Sequence, residues 1–374
     1  MRKTFFFVAV ALIATAVTQA QDSTVVAPPP PDSTVAAPAP EKPKPVISGS
    51  VDVYYRYNFS NPKDGATNNL TSFTNSQNSF ELGMASIRLD HSWGKASVTA
   101  DLGFGRRAQE FSYNDGDGNS FLSLASVKQL FVSYAISDKF KLTMGKWGTH
   151  VGYEVVDAYL NRNYSMSYMF SYGPFFHTGL KADIVLGSKT GFMIGIANPT
   201  DYSTTTSSAK WLIAQFSTGS NSGKFKAFLN YQGGNYDLDS KLNQVDLVVT
   251  AALGDHFSLG YNGTVQTRKP SGKESDSWWG SALYLNADPS STFGITLRGE
   301  YFSDEGDKNG AGESLLGFNS SIFATTLSFN IKVGALTIIP ELRFDNASDN
   351  LFTKSDGAGT KSTATALLGA TYSF

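Results

Sequence analysis

The sequence predicts an all-β protein: one antiparallel transmembrane β-barrel of about sixteen strands, with short periplasmic turns and long extracellular loops. Three observations predict it. Strand-like segments run from Val46 to Phe374, joined alternately by seven short turns and eight long polar connections. Within the strands, apolar residues alternate with polar or charged ones at a period of two. Aromatic residues make up 13 % of the chain, enough for the two interfacial girdles that such barrels carry. Lipid offers the backbone no hydrogen bonds, so a chain that crosses it with strands must close them into a barrel.

The N-terminus reads as a cleavable secretory signal over residues 1–20. Arg2 and Lys3 form its positive end, Phe5 to Val17 its apolar stretch and Thr18-Gln19-Ala20 its cleavage site. The apolar run is shorter than the roughly 20 residues that a spanning helix needs. Residues 21–45 are a different material. Eight of the fourteen prolines fall there, and Asp22-Ser23-Thr24-Val25 recurs as Asp32-Ser33-Thr34-Val35. Such a segment favours extended polyproline II and builds no core, so it is expected to be a periplasmic tether, with a reach of roughly 80 Å. It is either an inert spacer or a segment that touches the cell wall.

Without residues 1–20 the chain carries 28 basic and 32 acidic groups, a formal charge of −4, which argues against a nucleic-acid partner. It has no cysteine. That excludes disulfides, thiolate metal sites, a cysteine nucleophile and a lipidated N-terminal cysteine.

The barrel is expected to occupy residues 46–374. In its first strand Val51, Val53, Tyr55 and Tyr57 alternate with Asp52, Arg56 and Asn58. Next, Phe80-Leu82-Met84 and Ile87-Leu89 change phase, which predicts a bulge near Ala85. Short turns follow at Ser92-Trp93-Gly94-Lys95, Ser137-Asp138-Lys139 and Gly254-Asp255-His256, and long loops include Asn58 to Asn78 and Ser303 to Asn319. Late strands keep the alternation: Ile295, Leu297 and Tyr301 against Thr296, Arg298 and Glu300, then Leu342 and Phe344 against Glu341, Arg343 and Asp345. Pro340 interrupts the last of these, where a ladder donor is lost. Tyr54, Tyr55, Tyr57, Trp93, Trp278, Trp279 and Tyr372 are girdle candidates. Ala370-Thr371-Tyr372-Ser373-Phe374 ends in strand phase on an aromatic, and Phe374 resembles the signal by which outer-membrane barrels are recognised for assembly. A soluble exported β-sandwich or solenoid would also alternate. It would not explain the loop rhythm, the charges on one phase or that ending.

The third long connection is unlike the others. It runs Gly145-Lys-Trp-Gly-Thr-His150, then Gly152-Tyr153-Glu154-Val155-Val156-Asp157, Asn161-Arg162-Asn163-Tyr164-Ser165, Gly173-Pro174-Phe175 and His177-Thr178-Gly179. With the opening Gly49-Ser50-Val51-Asp52-Val53-Tyr54-Tyr55 it resembles the OmpL-like family of β-barrel porins across residues 46–374. The resemblance implies an outer-membrane, porin-like barrel and no catalytic residues.

Aromatics crowd this connection, and in water they would expose a large apolar patch. The stretch 147–176 is therefore expected to fold inward and narrow the lumen, as the third external loop does in general porins. His150, Glu154, Asp157, Arg162 and His177 are the expected constriction residues, where charge sets ion preference. The expected pore lining includes Arg56, Asp101, Arg298, Glu300, Glu341 and Arg343. The alternative is that the aromatics pack as a lid or an interface between barrels.

Other chemistry finds little support. There is no Gly-x-Ser-x-Gly elbow, P-loop, dinucleotide fingerprint or His/Cys metal spacing, so neither enzyme activity nor a cofactor or metal is expected. Asp115-Gly-Asp117-Gly-Asn119 starts like a calcium loop but has Ser120 and Ser126 where glycine and glutamate belong. Asp304-Glu305-Gly306-Asp307 is likewise incomplete. The expected partners are outer-membrane lipid, the barrel assembly machinery and small hydrophilic solutes, with a homo-oligomer left open. Sixteen-strand barrels leave an aqueous lumen, so the sequence implies passive diffusion of solutes and ions. The competing reading is a non-conducting surface adhesin or anchor.

Overall fold

The protein is described by a computed structural model that covers residues 43–63, 65–116, 123–236, 240–270, 275–306 and 314–374. The signal segment, residues 21–42 of the proline-rich segment, Asp117 to Asn119 and Asp307 lie outside the described residues.

Sixteen strands close into one antiparallel barrel. They begin with β1 (Val46–Asn58), β2 (Ser79–Trp93), β3 (Ala96–Phe104), β4 (Val127–Ser137) and β5 (Phe140–Gly148). There follow β6 (Phe176–Val185), β7 (Gly191–Ala197), β8 (Trp211–Gly219), β9 (Phe225–Asn235) and β10 (Ser240–Ala252). Next come β11 (Phe257–Pro270), β12 (Asp276–Ser290), β13 (Phe293–Asp304), β14 (Ser320–Val333) and β15 (Leu336–Ala347). A two-stranded ribbon of β16 (Phe352–Thr353) and β17 (Gly359–Thr360) sits in the last long loop, and β18 (Ser362–Ser373) closes the barrel on β1. The closing register pairs Val51 with Tyr372 and Tyr55 with Leu368. Phe374 and Gly49 exchange backbone hydrogen bonds of 3.0 and 3.1 Å. Among the described residues, two short α-helices, α1 (Arg106–Phe111) and α2 (Tyr168–Tyr172), belong to loops.

The period of two places Asp52, Arg56 and Asn58 inside and Val51 and Val53 on the exposed outer face. On β13 it puts Thr296, Arg298 and Glu300 inside, with Leu297 and Tyr301 outside. Three sequence readings need correction. Tyr54 and Trp278 face inward and are buried, while Trp279, the next residue, faces outward. The bulge lies at Gly83: Asp52 pairs with Met84 and Val53 with Leu82, so Met84 turns inward. Only glycine fits at position 83, because a Cβ there would lie 1.8 Å from the Asp52 carboxylate. Finally, two of the eight connections on the long-loop rim are short, with four residues between β9 and β10 and five between β11 and β12. There β10, β11 and β12 run for 13, 14 and 15 residues, so the wall itself rises instead of a loop. Pro340 finds its explanation in the ladder. Pairing with β18 is unbroken, whereas the β14 register stops at Ser328 opposite Glu341 and resumes at Ile331 opposite Ile338.

Candidate functional site

The third loop, residues 149–175 between β5 and β6, lies against the inner wall. Away from a sheet its backbone N–H groups need partners, because a buried orphan costs about as much as a lost hydrogen bond. Carboxylates supply them in pairs. Glu341 on β15 accepts the amides of Tyr164 and Ser165 at 2.8 and 3.1 Å. Glu300 on β13 accepts those of Tyr168 and Met169, both at 2.9 Å, at the start of α2. Asp201, in the loop after β7, accepts those of Phe175 and Phe176 at 2.7 and 2.9 Å. Asp246 on β10 takes the amide of Gly152 at 2.9 Å.

Charged side chains complete the attachment. Glu154 meets Arg298 at 2.6 Å, accepts the amide of Ser167 at 2.8 Å and the Tyr284 hydroxyl at 3.2 Å. Arg298 also donates to the carbonyl of Ser165, and Arg343, paired with Asp345 at 2.9 Å, donates to that of Met166. Arg162 reaches the turn end of β12 and binds Asp288 through both terminal nitrogens at 3.0 and 2.8 Å. Tyr164 donates its hydroxyl to Asp52 at 2.5 Å. The guanidinium of Arg107, from α1, lies 4.9 Å from the Phe73 ring centre and 5.0 Å from that of Tyr164. Across the lumen, Asp157 meets Lys128 at 2.6 Å, and Lys128 meets Asp101 at 3.2 Å.

Of the residues expected at the constriction, Glu154 therefore joins Arg298, and Asp157 joins Asp101 through Lys128. Arg162 stands apart near the turn rim. His150 and His177 come together with ring centres 5.0 Å apart. Of the expected lining, Glu300, Glu341 and Arg343 gather around residues 164–169. Arg56 lies elsewhere: it donates to the carbonyls of Thr67, at 2.8 Å, and Ser76, and so holds the first loop. Lys128, Arg107 and Asp201 escaped the sequence reading. Lys128 is the extra residue where the β3–β4 register shifts, so a strict alternation passes over it. Arg107 and Asp201 are loop residues with no periodicity to mark them.

Burial tunes the loop groups. It lowers His150 to about 4, keeping the imidazole neutral at ordinary pH. It pushes Asp201 up to about 7 against the hydrogen bonds that favour its charged form. Tyr172 rises to about 12 through burial, with the Asp304 charge adding to it.

Comparison with known proteins gives the same architecture. The fold is similar to an anion-selective porin from Comamonas acidovorans, at TM-score 0.58 and 12 % identity over 88 % of this chain and 99 % of that one. It is also similar to the outer membrane channel DcaP of Acinetobacter baumannii, at TM-score 0.56 and 12 % identity over 88 % and 97 %. A third similar structure is outer-membrane expressed OmpT of Vibrio cholerae, at TM-score 0.55 and 11 % identity over 89 % and 100 %. At these identities the likeness is one of fold. No curated protein sequence matches the chain. The family model described as "Putative beta-barrel porin-2, OmpL-like" matches residues 46–374, and the chain belongs to that family of outer-membrane β-barrel porins.

Proposed function

We propose that this porin carries small hydrophilic solutes and ions passively, with the third loop as its constriction. The observation that carries the reading is a sixteen-strand closed barrel whose inner face is polar and charged beneath an inward loop. Glu154, Asp157 and Arg162 would then act by fixing the loop and bounding the opening, because each is engaged with the wall. Lipid surrounds the outer face, and Phe374 serves assembly.

A second reading has its own support. Arg298 and Glu300 are 0 % exposed, so the central charges are spent on the loop and do not face a permeating ion. On that reading the loop seals the barrel, and the protein is a surface adhesin or anchor, or conducts only when the loop moves. Single-channel current in a planar bilayer separates the two. The chain lacking residues 1–20 is compared with one that also lacks residues 150–172. Steady steps that widen on deletion support the constricted porin. Silence in the longer chain with current in the deletion supports the sealed barrel.

A further inference from the structure

Buried polar atoms almost always meet a hydrogen-bond partner, and a group of them that does not calls for a water, an ion or another ligand. Among the described residues, three atoms without a partner cluster where β5 gives way to the third loop: Nδ1 of His150, Nδ1 of His177 and Nε1 of Trp147. Trp147 and His177 stand opposite each other in the β5–β6 ladder, and His177 is 1 % exposed. His150 follows two residues after the end of β5 and is half-buried.

Each imidazole is fixed through its other nitrogen. Nε2 of His150 meets the Tyr231 carbonyl at 3.1 Å. A carbonyl only accepts, so the proton sits on Nε2 and Nδ1 presents a lone pair. Nε2 of His177 meets the Thr149 hydroxyl at 3.0 Å, a group able to accept and leave Nδ1 basic as well. Metal-binding histidines are oriented in this way, one nitrogen donating to a carbonyl or hydroxyl and the other facing the ion. The spacing agrees. Two imidazoles bound through one nitrogen each to a tetrahedral ion have their ring centres roughly 5 Å apart, and here the distance is 5.0 Å with the planes at 41°.

We propose that His150 and His177 form a two-imidazole site for a borderline divalent transition ion such as Zn²⁺, Cu²⁺ or Ni²⁺. The side-chain oxygen of Gln232, one residue beyond the carbonyl that orients His150, is also buried without a partner and lies on the adjoining wall. Water completes the coordination. Lys181 opposes the ion: its ammonium lies 4.8 Å from the Trp147 ring centre, on the same inner face as His177. The site is therefore modest in affinity. It stands whether or not the barrel conducts. The sequence has no cysteine and four histidines, so a stoichiometric signal is easily assigned.

The test is equilibrium dialysis of the untagged, detergent-purified chain against Zn²⁺, with metal analysis, beside Cu²⁺ electron paramagnetic resonance. One ion per chain is expected, with affinity falling at least tenfold in His177→Phe and in His150→Phe. It should be unchanged in a His91→Ala, His256→Ala variant and tightened by Lys181→Met. The unsubstituted protein gives a readout independent of folding in the variants: the Cu²⁺ spectrum should carry hyperfine splitting from two nitrogens. No bound ion, splitting from fewer than two nitrogens, or binding that survives both histidine substitutions overturns the proposal. So does Lys181→Met weakening retention of an anion such as bromide at the same place, which would make the patch an anion site.

Discussion

From β10 through β15 the wall grips the third loop by its backbone, whereas the facing β3–β4 wall meets it with one lysine held between two aspartates. The difference follows from what each wall displays. Glu300 and Glu341 lie at inward positions two strands apart, and each spans two successive amides of one loop segment. Backbone amides cannot rotate away, so such pairing fixes a loop more firmly than two flexible side chains do. Lys128 and Asp157 carry the opposite case. Asp157 keeps 14 % of its side-chain surface exposed, and separating this pair requires only rotation of side chains. The loop is thus expected to move, if it moves, away from β3 and β4.

The largest effect should come from Arg298→Ala. It leaves Glu154 buried without its counter-charge, a loss of about 3–5 kcal/mol. Denaturant unfolding of the detergent-solubilised barrel reads this, and a loss no larger than that of Asp157→Asn would break the comparison. Next, Glu300→Gln and Glu341→Gln each turn two charge-assisted amide bonds into at best one ordinary one, costing about 2 kcal/mol apiece. They should also raise hydrogen exchange at residues 164–169 without affecting that near Asp157.

Asp201 gives a test by pH at the loop's exit. Its ordinary value is 3.8 and burial raises it to about 7. The folded state therefore holds the proton more tightly than the unfolded chain. The stability from this group is full below about pH 3.8 and is lost as pH rises through 7, at up to about 1.4 kcal/mol per pH unit. Asp201→Asn should flatten that window. An unchanged pH profile would show that the hydrogen bonds to Asp201 from the Phe175 and Phe176 amides and the Tyr113 hydroxyl, rather than burial, decide its titration.

The smallest change in stability is expected for Asp157→Asn, because Lys128 keeps a second aspartate, Asp101, at 3.2 Å. If β3–β4 is the loose side, this variant should nevertheless widen single-channel current more than Glu300→Gln does. The reverse order would put the loose side on the carboxylate wall.

Much of the barrel was legible in the sequence, and the reason is local. Alternation in Val51 to Asn58 and in Ile295 to Tyr301 reports which face meets lipid, since both faces of a strand are read from neighbouring residues. The same logic failed where local order breaks. The extra residues Gly83 and Lys128 shift the phase, and the adjacent Trp278 and Trp279 look alike in sequence yet face opposite ways. Girdle aromatics cannot be told from lumen aromatics by composition.

At the candidate site, the sequence picked out the third loop by its aromatics and its charged residues but could not pair them. Glu154 and Arg298 are 144 residues apart, and Tyr164 and Glu341 are separated by 177. Such partners are set by closure of the barrel, which brings late strands beside the first. His150 and His177 make the point at shorter range, since their spacing matches no metal motif and only the folded loop, held at His150 by the Tyr231 carbonyl, brings their rings together.

The sequence by itself determined the strand count, the two faces and the loop that turns inward, because each depends on residue periodicity or on apolar surface that must leave water. Tertiary structure alone decided which carboxylate holds which amide, which wall grips the loop and where two imidazoles meet. Those contacts form across the lumen, between residues whose distance is fixed only once the sheet has closed.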